Sequence, residues 1–482
     1  MAKSVIVIGG GLGGLAAAAR LARAGFEVTV LEKNAQVGGQ ISEVQAAGFR
    51  WSIGPPAITA RPLLEELFND LGRELQDYLR LLPLDPQTRY FFSDGLTYNT
   101  RLDWSATAAE IAQIDARDVS GYLRYLAYAA SIHQLRRYGF GRSLHGGWFR
   151  AGPLASADAA ARRFIRSDKL RRALSHHASQ SGGSPFAVAA AYSELAHAAL
   201  NSGLWHPRDG LAAIARALEN LAAEFKVSIR LGCPVARIEI ERSNAIGVAL
   251  ESGEIMRADA VVSNVCPIST ARYLLPEWTI SATALRSLMQ TPMSSSAFIL
   301  LLGIRGASPR LAHHNIFFSD DFRAEYEHIF QRGLMPADPT ITLTISSKTD
   351  PPSAPGNQEN WLIRVSAPPL SEKVNWATEA RGIRDRILTI LQGRYGLELH
   401  DRIRFERHFT PADLSQLSGA WRGALHGSLP HGPRAALTRP RIRSPHLKRL
   451  YHAGGAVVPG GGLPQALLSA KAAAALLIQD LG

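Results

Sequence analysis

The sequence predicts an α/β fold whose main sheet is assembled from both ends of a chain of 482 residues. A buried strand at residues 5–8 is followed by a glycine turn and an alanine-rich helix from about residue 12 to residue 24. A second strand, glycine loop and helix follow one another at the other end of the chain, from residue 450 to about residue 481. Strand and helix patterns alternate between the two units, which is typical of an α/β protein.

The first unit has the residues of a dinucleotide-binding site. Gly9, Gly11 and Gly14 have the spacing G-x-G-x-x-G. The first glycine permits a tight turn, the second lets the backbone approach a pyrophosphate, and the third lets helix and strand pack closely. The phosphates then lie at the positive end of the helix dipole. The next strand, residues 27–31, ends in Glu32, whose carboxylate can hold a ribose hydroxyl pair. Together these features predict that the unit binds a dinucleotide.

The remaining elements follow from hydrophobic periodicity and turn residues. The chain is mostly helical and rich in alanine from residue 106 to residue 197, and strand patterns return after it. The other predicted helices are 61–71, 212–224 and 377–395, and the other predicted strands lie within 49–56, 81–96, 227–231, 235–240, 245–250, 255–257, 260–264, 294–304, 316–318, 340–346 and 361–366. This return of strands indicates that two domains share the chain by repeated crossings.

Composition limits the class of protein. Hydrophobic residues make up 46% and charged residues 20% of the chain, as in a globular protein with a substantial core. Cys233 and Cys266 are the only cysteines, so no disulfide framework can form and a reducing compartment is expected. Neither the cysteines nor the histidine pairs at 176–177 and 313–314 have metal-ligand spacing, and no metal is expected. We also expect no signal peptide, because the first residues run directly into the first strand, and no membrane-spanning segment, because no apolar run is long enough.

The formal net charge of +12 is the strongest compositional sign of a partner. A basic excess is typical of proteins that meet an anionic partner, either nucleic acid or a membrane surface. Arginine-rich clusters lie within 136–172 and 422–449, and neither has a nucleic-acid-binding signature, so no nucleic-acid partner is expected. Aromatic residues at 122–128 and at Trp148-Phe149 lie near the first cluster, as at a membrane–water interface. Ordinary helix packing and a solvated basic face are the alternatives.

Two further glycine motifs bear on the choice between NAD and FAD. Gly38-Gly39 follow the second strand, and the C-terminal unit contains Gly454-Gly455 and the glycines 460–462. There is no independent second G-x-G-x-x-G unit. This combination resembles the flavoprotein class that includes amine oxidases, protoporphyrinogen oxidase and carotenoid desaturases. The resemblance implies one extended FAD, with the C-terminal glycine loop close to the flavin ring.

Within that class the chain is most similar to the bacterial-type phytoene desaturase family of carotenoid desaturases. The residues that carry this resemblance are the segments 311–319, 338–341, 420–423 and, as the most specific, 453–471 (AGGAVVPGGGLPQALLSAK). The resemblance covers most of the chain and is weakest from residue 101 to residue 200. It implies a Rossmann-like FAD-binding domain of the amine-oxidase class, interleaved with a mixed-sheet substrate domain and a helical, membrane-facing region. The expected division is 1–75, 201–270 and 416–482 for the FAD-binding domain, 76–200 for the first part of the substrate domain with the helical region, and 271–415 for the second part of the substrate domain.

The family pattern also implies which residues meet FAD. Carried over residue by residue, it places Gly9, Gly11 and Gly14 at the diphosphate, Glu32 at the adenosine ribose, Gly38, Gly39 and Gln40 along the ribityl–diphosphate portion, the Val235 backbone at the adenine, and Gly455, Gly462, Leu463 and Pro464 at the flavin end. Three positions depart from the pattern. Gln40 replaces a basic residue, so one phosphate charge loses its partner, and Ser52 and Cys266 stand where aspartate is common. We expect FAD binding to be retained.

The activity implied by the resemblance is FAD-dependent desaturation of a carotenoid. A C–H bond next to a double bond gives up hydride to the flavin, a proton leaves the neighbouring carbon, and oxygen or a quinone reoxidises the flavin. A delocalised allylic cation is strongly acidic, so a general base is optional, and the sequence assigns no catalytic residue. The alternatives are a carotenoid oxygenase or isomerase on the same scaffold, and a non-enzymatic prenyl-binding protein of the GDP-dissociation-inhibitor type. The intact glycines and Glu32 speak against the latter.

The expected substrate class predicts contact with a membrane. A chain of roughly thirty to forty carbons costs tens of kcal/mol to expose to water, at about 0.8 kcal/mol per CH₂. The enzyme is therefore expected to take its substrate from a bilayer through an apolar tunnel. The basic, aromatic-fringed face at residues 122–172 is the hypothesis for the docking surface. The expected location is cytoplasmic, with peripheral membrane association.

Overall fold

The computed structural model describes residues 2–138, 155–432, 435 and 439–482. At its centre is a parallel sheet that joins segments from both ends of the chain, as the sequence predicts. In spatial order its strands are Leu450–His452, Ala260–Ser263, Ser4–Ile8, Glu27–Leu31 and Ser228–Arg230. The carboxyl ends of all five strands therefore meet at one edge.

Both faces of the parallel sheet are buried, because successive side chains of a strand point to opposite faces. Val5 and Val7 pack against helices, whereas Ile6 and Ile8 pack against a three-stranded antiparallel layer. The helices of the first face are Leu12–Arg23, Arg61–Asp70, Ala212–Glu224 and Gly462–Leu481. The antiparallel layer consists of Val235–Glu241, Asn244–Leu250 and Ile255–Arg257. The glycine turns thus lie at the edge of a rigid three-layer unit.

A seven-stranded mixed sheet forms the second part of the molecule. Its order is Ile403–Phe409, Ser296–Arg305, Gln358–Ala367, Ile341–Ile345, His314–Phe317, Thr88–Phe91 and Thr97–Thr100, with one parallel pairing, between His314–Phe317 and Thr88–Phe91. The helix Trp376–Thr389 covers one face, where it buries Phe298 and Leu300. The other face buries Ile299 against Phe49 and Trp51 of the hairpin formed by Ser42–Ala46 and Phe49–Ile53. This second face points toward the parallel-sheet unit.

The remaining described elements are short or helical. They include the helices Trp104–Asp115, Asp118–Tyr138, Ala157–Arg162, Asp168–Ser179, Glu194–Leu200, Ala282–Met289, Phe322–Glu327 and Pro411–Ser418, and the paired strands Leu81–Pro83 and Trp205–Pro207. The sequence did not predict the strands Ser42–Ala46 and Ile403–Phe409, which carry several polar side chains. In the described ranges, no helix is both long enough and apolar enough to cross a bilayer.

Two tyrosines of the helical region are buried and do not form the expected aromatic fringe. Tyr122 and Tyr125 are 2% and 1% exposed, and the ring of Tyr128 lies 5.3 Å from that of Phe164. These tyrosines form a hydrophobic cluster on one stripe of the helix Asp118–Tyr138. Several basic side chains of the region are neutralised by ion pairs, in which Lys169 pairs with Asp94, and Arg171 and Arg172 pair with Asp168. Trp148 and Phe149 lie outside the described residues.

A buried carboxyl group, Glu325, gives the fold a testable pH dependence. Burial raises the pKa of Glu325 to about 7, although Thr340 and Ser319 donate hydrogen bonds to it. The folded protein therefore binds a proton that the unfolded chain, with a carboxyl pKa near 4.3, has already lost. We expect the contribution of Glu325 to be fully present below about pH 4 and to fall by roughly 3–4 kcal/mol as the pH rises from about 4 through 7.

The measurement is the difference in unfolding free energy between the protein and E325Q at several pH values. Taking this difference removes the contribution of the buried histidines to the pH dependence, because they titrate in both proteins. The advantage of the wild-type protein over E325Q is expected to shrink between pH 5 and pH 8. A difference that does not change with pH would contradict the prediction.

Candidate cofactor-binding site

A cavity of about 840 Å³ runs along the edge where the parallel strands end. Its wall includes Ile8 and Leu31 at the ends of two strands and Asn264 directly after a third. The crevice at the carboxyl ends of parallel strands is the usual ligand position in open α/β sheets. The cavity continues beyond this edge to residues of the mixed sheet, among them Ile299 and Arg364.

The first glycine turn is shaped by close backbone approach. Gly9 has φ +96°, and its N–H donates to the carbonyl oxygen of Leu31 at 2.8 Å. A Cβ atom on Gly11 would lie 2.6 Å from Asn264 Oδ1, and one on Gly14 would overlap the carbonyl oxygen of Gly9. The helix Leu12–Arg23 begins without a side-chain cap and without an acidic residue in its first turn. Its N–H groups therefore remain available to an anion.

Glu32 is anchored at the bottom of the cavity and is 4% exposed. One carboxylate oxygen accepts from Gly10 N–H at 2.7 Å, and the other accepts from the backbone N–H and side-chain amide of Asn34 at 2.9 and 2.7 Å. The N–H of Cys233 donates to the carbonyl oxygen of Glu32 at 2.9 Å, which brings Val235 to the same end of the cavity. The fixed carboxylate retains lone pairs for hydroxyl donors.

The double glycine lies beside the first turn. The N–H of Gly38 donates to the carbonyl oxygen of Gly10 at 2.9 Å, and Gly11 and Gly38 form a parallel bridge. Gly38 and Gly39 have φ +127° and +61°, which favours glycine at both positions. Gln40 lies at the exposed rim of the cavity.

The C-terminal glycine loop closes the other side. The N–H of Gly454 donates to Ser469 Oγ at 2.8 Å, and a Cβ atom on Gly454 would lie 2.6 Å from Asn264 Nδ2. Gly455 approaches Gly462, the first residue of the helix Gly462–Leu481. This helix also begins without a side-chain cap. Two uncapped helix N-termini thus face one cavity.

The structure places ten of the twelve predicted site residues on the cavity wall. They are Gly9, Gly11, Glu32, Gly38, Gly39, Gln40, Val235, Gly455, Gly462 and Leu463. The other two, Gly14 and Pro464, lie in the first turns of their helices and do not line the cavity. Gly14 instead provides the close contact between helix and strand.

Sequence reasoning did not assign several residues that the cavity brings together. Asn264 lies between the two glycine units, and its Nδ2 donates to the carbonyl oxygen of Ala453 at 3.0 Å. Its position directly after a buried strand was the available signal. Arg364 and His426 also line the cavity, but both come from segments that carry no glycine motif.

Two departures from the family pattern have clear positions. Ser52 Oγ accepts from Leu211 N–H at 2.9 Å, just before the helix Ala212–Glu224. Cys266 lines the cavity, and burial raises the pKa of its thiol, so the group is neutral. Neither position introduces a charge into the wall.

The wall fits an extended dinucleotide. A fixed carboxylate lies at one end, glycine backbones whose Cβ atoms would intrude lie in the middle, and a second glycine loop lies at the other end. The residues that would hold the ribose are those around Glu32, and the diphosphate would lie at the first helix N-terminus.

Comparisons with known proteins agree with this geometry. Residues 12–478 match the family of flavin-containing amine oxidoreductases. The chain is 33% identical to a 4,4'-diapolycopene oxygenase of a Methylomonas species, over 99% of both chains. It is also 33% identical to a lycopene-forming phytoene desaturase of Pseudescherichia vulneris, over 99% of this chain and 100% of the relative. A zeta-carotene-forming phytoene desaturase of Myxococcus xanthus is 32% identical, over 97% of this chain and 92% of the relative.

Solved structures share the fold at low sequence identity. A cyclohexylamine oxidase of Brevibacterium oxydans is 17% identical and superposes with a TM-score of 0.63 over 100% of both chains. An oxidoreductase of Methanosarcina mazei is 16% identical and superposes with a TM-score of 0.65, over 97% of this chain and 99% of that chain. The glycine cradle, the anchored Glu32 and the full-length relatives lead to one conclusion. The chain is an FAD-dependent oxidoreductase that belongs to the carotenoid desaturase family of the flavin-containing amine oxidoreductases.

Proposed function

We propose that this enzyme desaturates a long carotenoid polyene that it takes from a membrane. The observation that carries the proposal is the cavity, whose wall includes the glycine loops, the apolar side chains of Ile53, Ile299 and Leu414, and Tyr273. Tyr273 lines the cavity and is 63% exposed, so a hydrophobic chain can enter there. The full-length relatives named phytoene desaturases support the substrate class.

The residues of the chain bind FAD, orient the substrate and keep water out of the cavity. FAD, when bound, supplies the hydride acceptor. The helix Leu12–Arg23 and Glu32 hold the nucleotide half, and the loop before Gly462–Leu481 borders the other half. His426 is the histidine of the described cavity wall, and burial lowers its pKa to about 3, so its imidazole is neutral and a weak base. A proton therefore leaves without a strong base, which an acidic allylic cation allows.

The test is anaerobic incubation of the FAD-loaded protein with candidate carotenes in liposomes. Product analysis by chromatography and mass spectrometry is expected to show loss of two hydrogens for each double bond formed. A gain of oxygen when air is admitted would favour the oxygenation for which some relatives are named. Bleaching of the flavin by an amine and by none of the carotenes would contradict the proposal. Oxygen and quinones are the acceptors to compare for reoxidation.

Further aromatic and basic side chains lie near Tyr273, either in the chain or in space. Trp278 is 70% exposed, and the ring of Tyr273 lies 6.3 Å from that of Trp421. Arg272 and Arg422 are exposed and have no carboxylate partner within ion-pair distance in the described ranges. We call these five residues the entrance patch. Glu277 is the acidic residue between Arg272 and Trp278 in the chain. Aromatic rings beside arginines suit an anionic bilayer surface.

We therefore place membrane docking at the entrance patch. The double variant Y273S/W278S is expected to lower binding to anionic vesicles about tenfold or more. Burying the apolar surface of each ring in the bilayer contributes roughly 1.5–3 kcal/mol to the binding free energy. Co-sedimentation with neutral and anionic liposomes at two salt concentrations measures it. Binding is expected to be stronger to anionic lipid and to weaken with salt.

The matched control is I255S, which removes a side chain that is 54% exposed and does not line the cavity. Its lipid binding is expected to equal that of the unmodified protein. If R163E/R166E abolishes binding while Y273S/W278S does not, the helical region is the docking surface instead. No binding to either lipid would end the docking proposal.

We also propose that the two sheets mark a functional division of the chain. The FAD-binding part would comprise 1–75, 201–270 and 416–482, and the substrate part would comprise 76–200 and 271–415. The division is supported by the strands of the parallel sheet, which come from the first three segments, and by those of the mixed sheet, which come from the other two.

A further inference from the structure

Arg364 is a cation inside the protein for which the described part of the chain offers no anion. It lies on the inner strand Gln358–Ala367 of the mixed sheet, between Ile299 and Thr342 of the neighbouring strands. Its side chain lines the cavity, and its Nη1 donates to the carbonyl oxygen of Gly54 at 3.4 Å. No described carboxylate lies within ion-pair distance, and the undescribed segments contain neither Asp nor Glu.

Arg364 remains positively charged although no described carboxylate lies near it. Burial lowers its pKa to about 10, which still leaves the guanidinium protonated at neutral pH. The side chain is half-buried and lines the cavity, so donors that do not bond to Gly54 are accessible to a molecule bound there. An unpaired charge in the interior is strongly unfavourable. A partner from outside the chain would remove this penalty.

Two neighbours add to the positive potential. Arg439 is 4% exposed, its Nη1 donates to the carbonyl oxygen of His426 at 3.4 Å, and its Nη2 is buried without a partner. A side chain at Gly460 would overlap this guanidinium, so Arg439 lies directly against the C-terminal glycine loop. His426 lies near both arginines, stays neutral, and has a buried Nδ1 without a partner. The described groups here are all donors or neutral.

We propose that Arg364 and the neutral His426, which line the cavity, form a subsite that binds an electron-rich oxygen or nitrogen acceptor, with Arg439 next to His426 adding to the positive potential. A hydrocarbon polyene has no such acceptor. Two bound molecules could supply it: the pyrimidine part of the flavin, which gains negative charge on reduction, or an oxygenated end of a polyene, such as an aldehyde or carboxylate. The second source rests on the proposed function, whereas the first requires only FAD.

The test compares R364M, which keeps the length of the side chain and removes the charge, with R364K, which keeps the charge. R404M, at an exposed arginine of the same sheet, is the matched control. The first measurement is the midpoint potential of the bound flavin. If the flavin is the acceptor, the ratio of reduced to oxidised flavin at a fixed potential is expected to fall at least tenfold in R364M, about 30 mV for a two-electron couple.

The second measurement is the affinity for a carotene and for its analogue with a terminal carboxylate. If the polyene is the acceptor, R364M is expected to bind the carboxylate at least tenfold more weakly and the hydrocarbon unchanged. R364K keeps the charge and is therefore expected to keep most of the flavin potential or of the affinity for the carboxylate. R404M is expected to behave as the unmodified protein. The flavin measurement needs no turnover, so it decides the first source even if no carotenoid is a substrate.

The third measurement is the thermal midpoint of the FAD-free protein. R364M is expected to unfold at the same temperature as the unmodified protein or at a higher one, because a ligand-binding charge is not paired within the fold. The proposal is overturned if R364M is insoluble or markedly destabilised, since Arg364 then has a structural partner. It is equally overturned if R364M changes neither the flavin potential nor the preference between the two polyenes.

Discussion

Replacing Gly14 with alanine is expected to destabilise the protein and to remove bound FAD. A Cβ atom at this position would overlap the carbonyl oxygen of Gly9 and would lie 3.2 Å from Asn264 Cβ. The carbonyl belongs to the turn itself and cannot move without displacing it, so we expect a loss of about 3 kcal/mol or more. Flavin absorbance of the purified protein should fall to less than about a tenth, and the FAD-free protein should also melt at a lower temperature.

The matched control is G382A. Gly382 also lies inside a helix, Trp376–Thr389, but a Cβ atom there meets nothing within 4 Å. Alanine in an open helix interior stabilises by roughly 0.5–1 kcal/mol relative to glycine. G382A is therefore expected to keep its flavin and to melt at the same or a slightly higher temperature. Normal flavin content in G14A would show that the turn tolerates a side chain.

Replacing Glu32 with alanine is expected to weaken FAD binding about 100-fold or more. The buried carboxylate accepts hydrogen bonds from Gly10 and Asn34, and the ribose hydroxyls would be further donors. Hydrogen bonds to a charged group contribute roughly 1.5–3 kcal/mol each, and about 2.7 kcal/mol corresponds to a 100-fold change in the dissociation constant. Titration of the FAD-free protein with FAD, followed by flavin fluorescence, measures the change.

E27A is the control for this prediction. Glu27 is exposed at the start of the strand Glu27–Leu31, which ends just before Glu32, so its removal tests for nonspecific effects on the strand. E27A is expected to bind FAD as the unmodified protein does, and E32Q, which keeps one acceptor oxygen, is expected to be intermediate. An E32A affinity within about threefold of the original would mean that the ribose is held elsewhere.

The local character of the first glycine unit explains why much of the cavity wall was predictable from the sequence. The first turn, the acidic strand end and the double glycine are local features, in which neighbouring residues determine the backbone conformation. The positive φ angles of Gly9, Gly38 and Gly39 and the hydrogen bond from Gly10 N–H to Glu32 are set within a stretch of about thirty residues. Six of the ten predicted residues that line the cavity lie within or next to this stretch.

The prediction of an aromatic membrane face shows the opposite case. Tyr122 and Tyr125 belong to a stripe at helical spacing, together with Leu126 and Ala129, and this stripe is buried. The spacing identifies the stripe but not its neighbour, which can equally be a bilayer or another helix. For these two tyrosines the neighbour is protein, namely Phe164 and the helices around it, whereas contact of the helical region with a membrane stays a prediction.

The sequence by itself determined the α/β class, the strand–glycine–helix units at both ends, and the glycines and Glu32 that line the cavity, because each depends on short-range backbone chemistry and hydrophobic periodicity. Only the tertiary structure decided what meets across large separations in the chain. It places Asn264 between the first and last glycine units, Arg364 beside Gly54, and Tyr273 beside Trp421 on the cavity wall. Such contacts depend on how the two sheets pack together, and no local pattern in the sequence encodes them.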